Sequence, residues 1–265
     1  MFTFSSYYHK KLLLSFYSIG WMMVVCFLTS ATYHVKQEDV KLIVIDAGHG
    51  GKDPGCLSAS GTKEKDINLD ISLRLGKMIN KNMPGVKVIY TRRDDRFVEL
   101  LERAEIANRN HASLFISIHA NSGPPGFCGT ETYCMGLDKS EQNLEVAQRE
   151  NASILLEKEH KKKYNNFNPN APESYILFSL FQNVFLQGSL RLAGHVERHF
   201  SDHGRFSRGV KQAGFVVLWK TSMPSVLIET GFLTDPDDEK YLSSKEGREE
   251  VAHDIFCAIE AFMND

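Results

Sequence analysis

Leu42-Ile43-Val44-Ile45-Asp46-Ala47-Gly48-His49-Gly50-Gly51 begins as a run of β-branched residues and ends as a glycine loop around a histidine. Short runs of this kind read as strands buried on both faces. Two more segments share the design: Leu114-Phe115-Ile116-Ser117-Ile118 ends on His119, and Val226-Leu227-Ile228 ends on Glu229. As parallel neighbours, the three strands would open their C-terminal ends on one edge, where open α/β sheets place their ligands. Helical patterns fill the intervals. Leu69, Leu73, Leu75, Met78 and Ile79 form an apolar stripe over 68–81, and Leu100, Ala104 and Ala107 form another over 99–110. Residues 86–90, 130–135 and 215–219 read as further strands, and 189–200 and 245–262 as helices. This alternation predicts a single α/β domain over 40–265, with a twisted, mostly parallel or mixed sheet flanked by helices on both faces.

Composition agrees with a globular domain: of 265 residues, 42% are hydrophobic and 24% charged, enough for a full core. The net charge of −2 gives no electrostatic reason to expect nucleic acid as a partner. Residues 1–31 stand apart. Lys10 and Lys11 precede an apolar stretch over 12–28, then Thr29-Ser30-Ala31. That is the pattern of a secretory signal peptide, with an uncleaved N-terminal membrane anchor as the alternative. Met23-Val24-Val25 lacks the small residues that a lipidated Cys26 would require. Either way, export to the periplasm or cell envelope is expected. Cys56, Cys128, Cys134 and Cys257 then face an oxidising compartment, but the spacing of Cys128 and Cys134 does not establish a disulfide. There is no CxxC, which argues against zinc held by cysteines.

Two imidazoles and two carboxylates at one sheet edge would supply the parts of a hydrolytic zinc centre. His49 lies between glycines, which permit close approach of other groups, and His119 at a strand mouth. Glu229 ends an apolar strand, where a buried carboxylate is costly unless paired or near a cation. Glu64 precedes the first helix, so favouring the helix dipole explains it as well as ligation does. Other patterns fail. His195 and His199 are spaced i, i+4, yet Val196 stands where a zinc-protease helix carries Glu; a surface helix face is the simpler reading. Asp53 replaces the third glycine of a dinucleotide loop, and no Gly-x-Ser-x-Gly elbow occurs.

Several blocks together resemble the zinc-dependent N-acetylmuramoyl-L-alanine amidases of the amidase-3 type. They are residues 43–55, Lys63-Glu64-Lys65-Asp66-Ile67-Asn68-Leu69, Tyr90-Thr91-Arg92, Leu101-Glu102-Arg103-Ala104, 115–121, 208–215 and 223–233, in family order. Ala47 stands where the family usually has proline. The resemblance implies that His49, Glu64 and His119 hold one Zn2+ and that Glu229 is the catalytic carboxylate. It implies cleavage of the amide between N-acetylmuramic acid and L-alanine in peptidoglycan, for cell-wall remodelling or cell division. A zinc peptidase acting within the stem peptide and an inactive wall-binding module are the alternatives. Arg92 and Asn121 lie in matched blocks and are candidates for touching substrate or supporting the ligands; Arg103, on a helix, reads as a salt bridge. The chain is expected to act as a monomer.

Residues 138–188 are far longer than an ordinary connection. A long charged helix over 141–163, a polar break over 164–172 and a second helix over 175–186 are predicted. Some family members that split daughter cells carry a helical insertion that blocks the site until an activator protein docks, with an insertion glutamate at the metal. By that resemblance Glu150, Glu157 and Glu159 are candidate autoinhibitory ligands, and Ile176-Leu177-Phe178 with Leu180-Phe181 the candidate partner surface.

Overall fold

The computed structural model describes residues 39–136, 140–179 and 184–265; the N-terminal apolar stretch and Leu180-Phe181 lie outside them. Six strands form one sheet: β1 (Leu42–Ala47), β2 (Lys87–Tyr90), β3 (Leu114–Asn121), β4 (Thr130–Met135), β5 (Ser207–Ala213) and β6 (Ser225–Phe232). Their spatial order is β2-β1-β3-β6-β4-β5. β2, β1, β3 and β6 run parallel, β4 pairs antiparallel to β6, and β5 runs parallel to β4. The three strands that end in the site residues are therefore neighbours, and the sheet is mixed because of β4 and β5.

The helices are α1 (Glu64–Asn82), α2 (Leu100–Arg109), α3 (Glu141–Asn151), α4 (His160–Lys163), α5 (Ile176–Ser179), α6 (Leu186–Asp202), α7 (Val216–Trp219), α8 (Pro236–Ser243) and α9 (Lys245–Asn264). Alternate strand residues feed two cores, as period-two side-chain alternation requires. Ile43, Ile45, Ile116, Ile118 and Ile228 pack with Leu75 of α1, Val196 of α6 and Ile259 of α9. Val44, Phe115 and Leu227 pack on the other face with Leu100, Val146 and Phe215. No described helix is long and apolar enough to cross a membrane.

Some expectations fail, each for a local reason. Residues 215–219 form a buried helical turn rather than a strand; a run of five apolar residues fits either, and length alone does not decide. The strand is instead Ser207–Ala213, an edge strand whose half-buried, largely polar sequence gives little periodic signal. The helix predicted over 141–163 stops at Asn151, continues as a 3-10 turn Ala152–Leu156, and ends in the single turn of α4. Asn151 explains the break: its side chain accepts from the Val216 amide (2.8 Å) and donates to the Gly214 carbonyl (2.8 Å), tying the chain to the core. Phe178 is buried among Phe167, Tyr175 and Trp219 and is not available as a partner surface. The four described cysteines are free thiols.

Candidate metal centre and active site

The loop after β1 turns sharply. His49 has a left-handed backbone (φ 60°), and the turn brings it over the end of β3. A Cβ on Gly48 would lie 2.3 Å from the His119 ring, and one on Gly55 2.4 Å from Glu64 Oε2. Glycine at these positions lets the three side chains close together. Glu64 is the first residue of α1, which starts four residues before the apolar stripe suggested. Its Oε2 accepts from the Cys56 amide (2.9 Å), and its Oε1 accepts from Asn68 Nδ2 (3.0 Å) and the Ala120 amide (3.2 Å).

One donor atom from each of His49, Glu64, His119 and Glu150 lies within 4.8 Å of the others. His49 Nε2 is 3.1 Å from Glu64 Oε1 and 3.1 Å from Glu150 Oε2. His119 Nδ1 is 3.0 Å from each of the same oxygens. The other ring nitrogen of His49, Nδ1, meets Asp53 Oδ2 at 2.8 Å, which fixes the ring so that Nε2 faces the centre. Glu229 sits beside His119 in the β3–β6 register and is fully buried. Neither of its carboxylate oxygens has a hydrogen-bond partner, and His49 Nε2 and Glu150 Oε2 also lack one.

These orphaned atoms test whether a cation belongs here. Three buried carboxylates and two imidazoles, with polar atoms left unsatisfied, are costly to assemble alone. Two nitrogens and carboxylate oxygens in a compact, nearly dry group are the donor set of zinc. The electrostatics of the group carry the same mark. Burial depresses the His49 imidazole, but Glu64, Asp53 and Glu150 outweigh it and hold the ring well above its usual range. Burial, then the Glu150 carboxylate, pushes Glu229 well above the usual carboxylate range.

A cleft of about 360 Å³ opens beside the group, lined by His49, Glu64, Cys56, Arg149, Glu150 and Leu156 among others. Of the three candidate insertion glutamates, Glu150 alone reaches the cluster. Glu157 is used elsewhere: its Oε1 accepts from the Leu100 amide (2.9 Å) at the start of α2 and from the Tyr164 hydroxyl (2.8 Å). Glu159 is exposed with a left-handed backbone (φ 54°) just before α4. Arg92 is buried behind the loop. Its guanidinium donates to the carbonyls of Ala47 (2.9 Å), Gly48 (2.8 Å), Lys65 (2.8 Å) and Asp94 (3.2 Å), so it braces backbone. Arg103 pairs with Asp46 (2.8 Å) and donates to the His49 carbonyl (2.8 Å). Asn121 donates to Glu131 Oε2 (3.0 Å) and accepts from Arg149, the neighbour of Glu150.

Glu131 and Ser153 went unnoticed in the sequence. Glu131 is fully buried on β4, opposite Glu229 in register, and accepts from Arg208 (2.6 Å) and Lys211 (2.5 Å) on β5. Ser153 donates to Asp53, the residue that orients His49. Their chain neighbours carry no motif, so only the pairing of β4 and the path of the insertion reveal them.

A family model described as N-acetylmuramoyl-L-alanine amidase matches residues 43–261. The N-acetylmuramoyl-L-alanine amidase AmiA of Escherichia coli is 33% identical over 84% of this chain and 76% of that protein. The solved structure of AmiC2 of Nostoc punctiforme is 31% identical, with a TM-score of 0.60 over 84% of this chain and 97% of that one. The CwlD amidase from Clostridioides difficile, solved in complex with the GerS lipoprotein, is 26% identical, with a TM-score of 0.62 over 84% and 98% of the two chains.

Proposed function

The chain belongs to the amidase-3 family of N-acetylmuramoyl-L-alanine amidases, and from that membership we propose a zinc-dependent hydrolase of the bond between N-acetylmuramic acid and L-alanine in peptidoglycan, acting in wall remodelling or daughter-cell separation. The observation that carries this reading is the buried group of His49, Glu64, His119 and Glu150 beside the unpartnered Glu229 carboxylate. His49, Glu64 and His119 would hold the ion. When bound, zinc supplies Lewis acidity to the amide carbonyl and to a water molecule. Asp53 orients His49, and the Cys56 and Ala120 amides orient Glu64. Glu229 takes a proton from the water and delivers it to the leaving nitrogen of L-alanine. Arg92 and Arg103 hold the carbonyls of the His49 loop, which keeps the ligands in place.

Glu150 takes the place a water or substrate needs, so the insertion acts as a lid in this arrangement. Arg149 on Asn121 and Ser153 on Asp53 hold it down. A protein partner would release it. The CwlD amidase, solved in complex with a lipoprotein, supports a protein partner for a domain of this fold. Lys10 and Lys11 ahead of the apolar 12–28 stretch support export to the cell envelope, where the substrate lies.

Digestion of purified wall sacculi, read by mass spectrometry, tests the reaction. Free stem peptides and peptide-free glycan are expected. Shortened or uncross-linked muropeptides would make the protein a peptidase instead, and binding without product would make it a wall-binding module.

A further inference from the structure

The edge strand β5 aims two cations at the row of side chains that contains Glu229. Arg208 and Lys211 are three residues apart, and in a regular strand their side chains would leave opposite faces of the sheet. The pairing with β4 steps from Thr130–Ser207 to Thr132–Val210, so Arg208 and Gly209 together oppose Glu131. Gly209 takes a left-handed backbone (φ 85°) at this bulge. The extra residue puts both cations on one face, where Arg208 Nε (2.6 Å) and Lys211 Nζ (2.5 Å) donate to Glu131 Oε1. Bulges beside active sites re-aim side chains in this way.

The row crosses four strands. His119 is level with Glu229, Glu229 is level with Glu131, and Arg208 follows on β5. The other oxygen of Glu131, Oε2, accepts from Asn121 (3.0 Å) and from the Tyr133 hydroxyl (2.7 Å). With four donors on it, this fully buried carboxylate is a fixed anchor. The Arg208 guanidinium carbon lies 4.8 Å from the centre of the Phe127 ring and 5.6 Å from that of Phe232, and these contacts hold the plane of the group. Arg208 spends only Nε on Glu131. Its two terminal nitrogens have no hydrogen-bond partner among the described residues and remain accessible to solvent. Two cations on one carboxylate leave an excess of positive charge here. A held guanidinium with its terminal N–H groups unspent is the fork that binds a carboxylate.

We propose that Arg208, re-aimed by the bulge and pinned by Glu131, binds a carboxylate of the substrate on the peptide side of the scissile amide. The proposal rests on the amidase reading. In N-acetylmuramic acid the lactyl carboxyl is consumed in that amide, so the sugar offers no free carboxylate at the bond. The stem peptide does, at the α-carboxyl of the γ-linked D-glutamate that follows L-alanine. Lys211 shares the charge of Glu131 and so leaves the Arg208 fork unneutralised for the substrate.

Two synthetic substrates that differ in one group are the probe: N-acetylmuramoyl-L-alanyl-γ-D-glutamyl-L-lysinamide and its D-isoglutaminyl counterpart, in which the α-carboxylate is a carboxamide. Release of N-acetylmuramic acid is followed with the zinc-loaded full-length chain and with Glu150→Ala, in which the lid glutamate is removed. The kcat/KM should favour the carboxylate substrate by about tenfold, the scale of a charge-assisted hydrogen-bonded contact, and mainly through KM. Arg208→Gln should bring the ratio to about one with metal content unchanged; a merely structural role would slow both substrates alike and keep the ratio. Equal kcat/KM for the two substrates without any change at Arg208 would overturn the subsite and leave the amidase reading standing, as would a preference that survives Arg208→Gln. Cleavage of neither substrate by either protein would instead overturn the amidase reading, and the subsite with it.

Discussion

Glu229 differs from its neighbours in that no side chain or amide holds it, whereas His49 and Glu64 are each fixed by bonds from behind. A ligand must be held still, and a proton carrier must be free to exchange. Glu229→Gln keeps the shape and cannot take a proton, so hydrolysis of sacculi should fall by about 10²- to 10⁴-fold while metal content, measured by mass spectrometry, stays at one ion in the cleft. Near-normal turnover would remove Glu229 from the proton path. His119→Ala should instead lose ion and activity together, and a full metal complement in that variant would take His119 out of the ligand set. Behind the loop, Arg103→Met would strand the buried Asp46 carboxylate, which also accepts from Thr91 and Ser117. A loss of about 3–5 kcal/mol in urea unfolding is expected for breaking a buried pair in this way; a change below about 1 kcal/mol would assign the pair the small worth of a surface bridge. At this scale the sequence was informative where chemistry and local context coincide. His49 between glycines and His119 at a strand mouth stood out. Glu64 did not, because a helix start and a ligand position look the same along the chain.

At the scale of elements, the insertion decides whether the cleft is open. α3 presents Arg149 and Glu150 side by side, and its end is clamped by Asn151 to the turn before α7. If Glu150 blocks the centre, Glu150→Ala should raise basal hydrolysis about tenfold, equivalent to about 1.4 kcal/mol of relieved competition, with metal content unchanged. Basal activity equal to the unaltered chain would reduce the insertion to an extra structural layer. The same element shows why patterning misreads irregular segments. Glu141 to Lys163 is rich in helix formers, and propensity alone extends one helix through it. Tertiary bonds from Asn151, Ser153 and Glu157 stop it after Asn151. β5 escaped for the opposite reason: an edge strand needs few apolar residues, and its polar side chains serve Glu131.

Among the described residues the apolar side chains form two layers, and His49, Glu64, His119, Glu150 and Glu229 are buried together, compatible with a metal ion. Stripping metal with a chelator should abolish hydrolysis and lower the Tm by about 5–15 °C, the shift expected for losing a ligand present well above its Kd in a domain of this size. Zinc should restore both; an unchanged Tm and activity after verified metal removal would contradict a metal-centred site. The sequence by itself determined the layered α/β class, the three parallel strands and the grouping of His49, His119 and Glu229 at their ends. Those features follow from local pattern: buried runs are apolar wherever they lie, and residues that end neighbouring parallel strands must emerge on one edge. Only the tertiary structure decided that Glu150 rather than Glu157 or Glu159 reaches the centre, that Arg92 braces backbone, and that His203 meets Asp254 across two helices. Each of those depends on where a long segment returns to the core, and a return path is set by packing and hydrogen bonds between residues tens of positions apart, which no local period records.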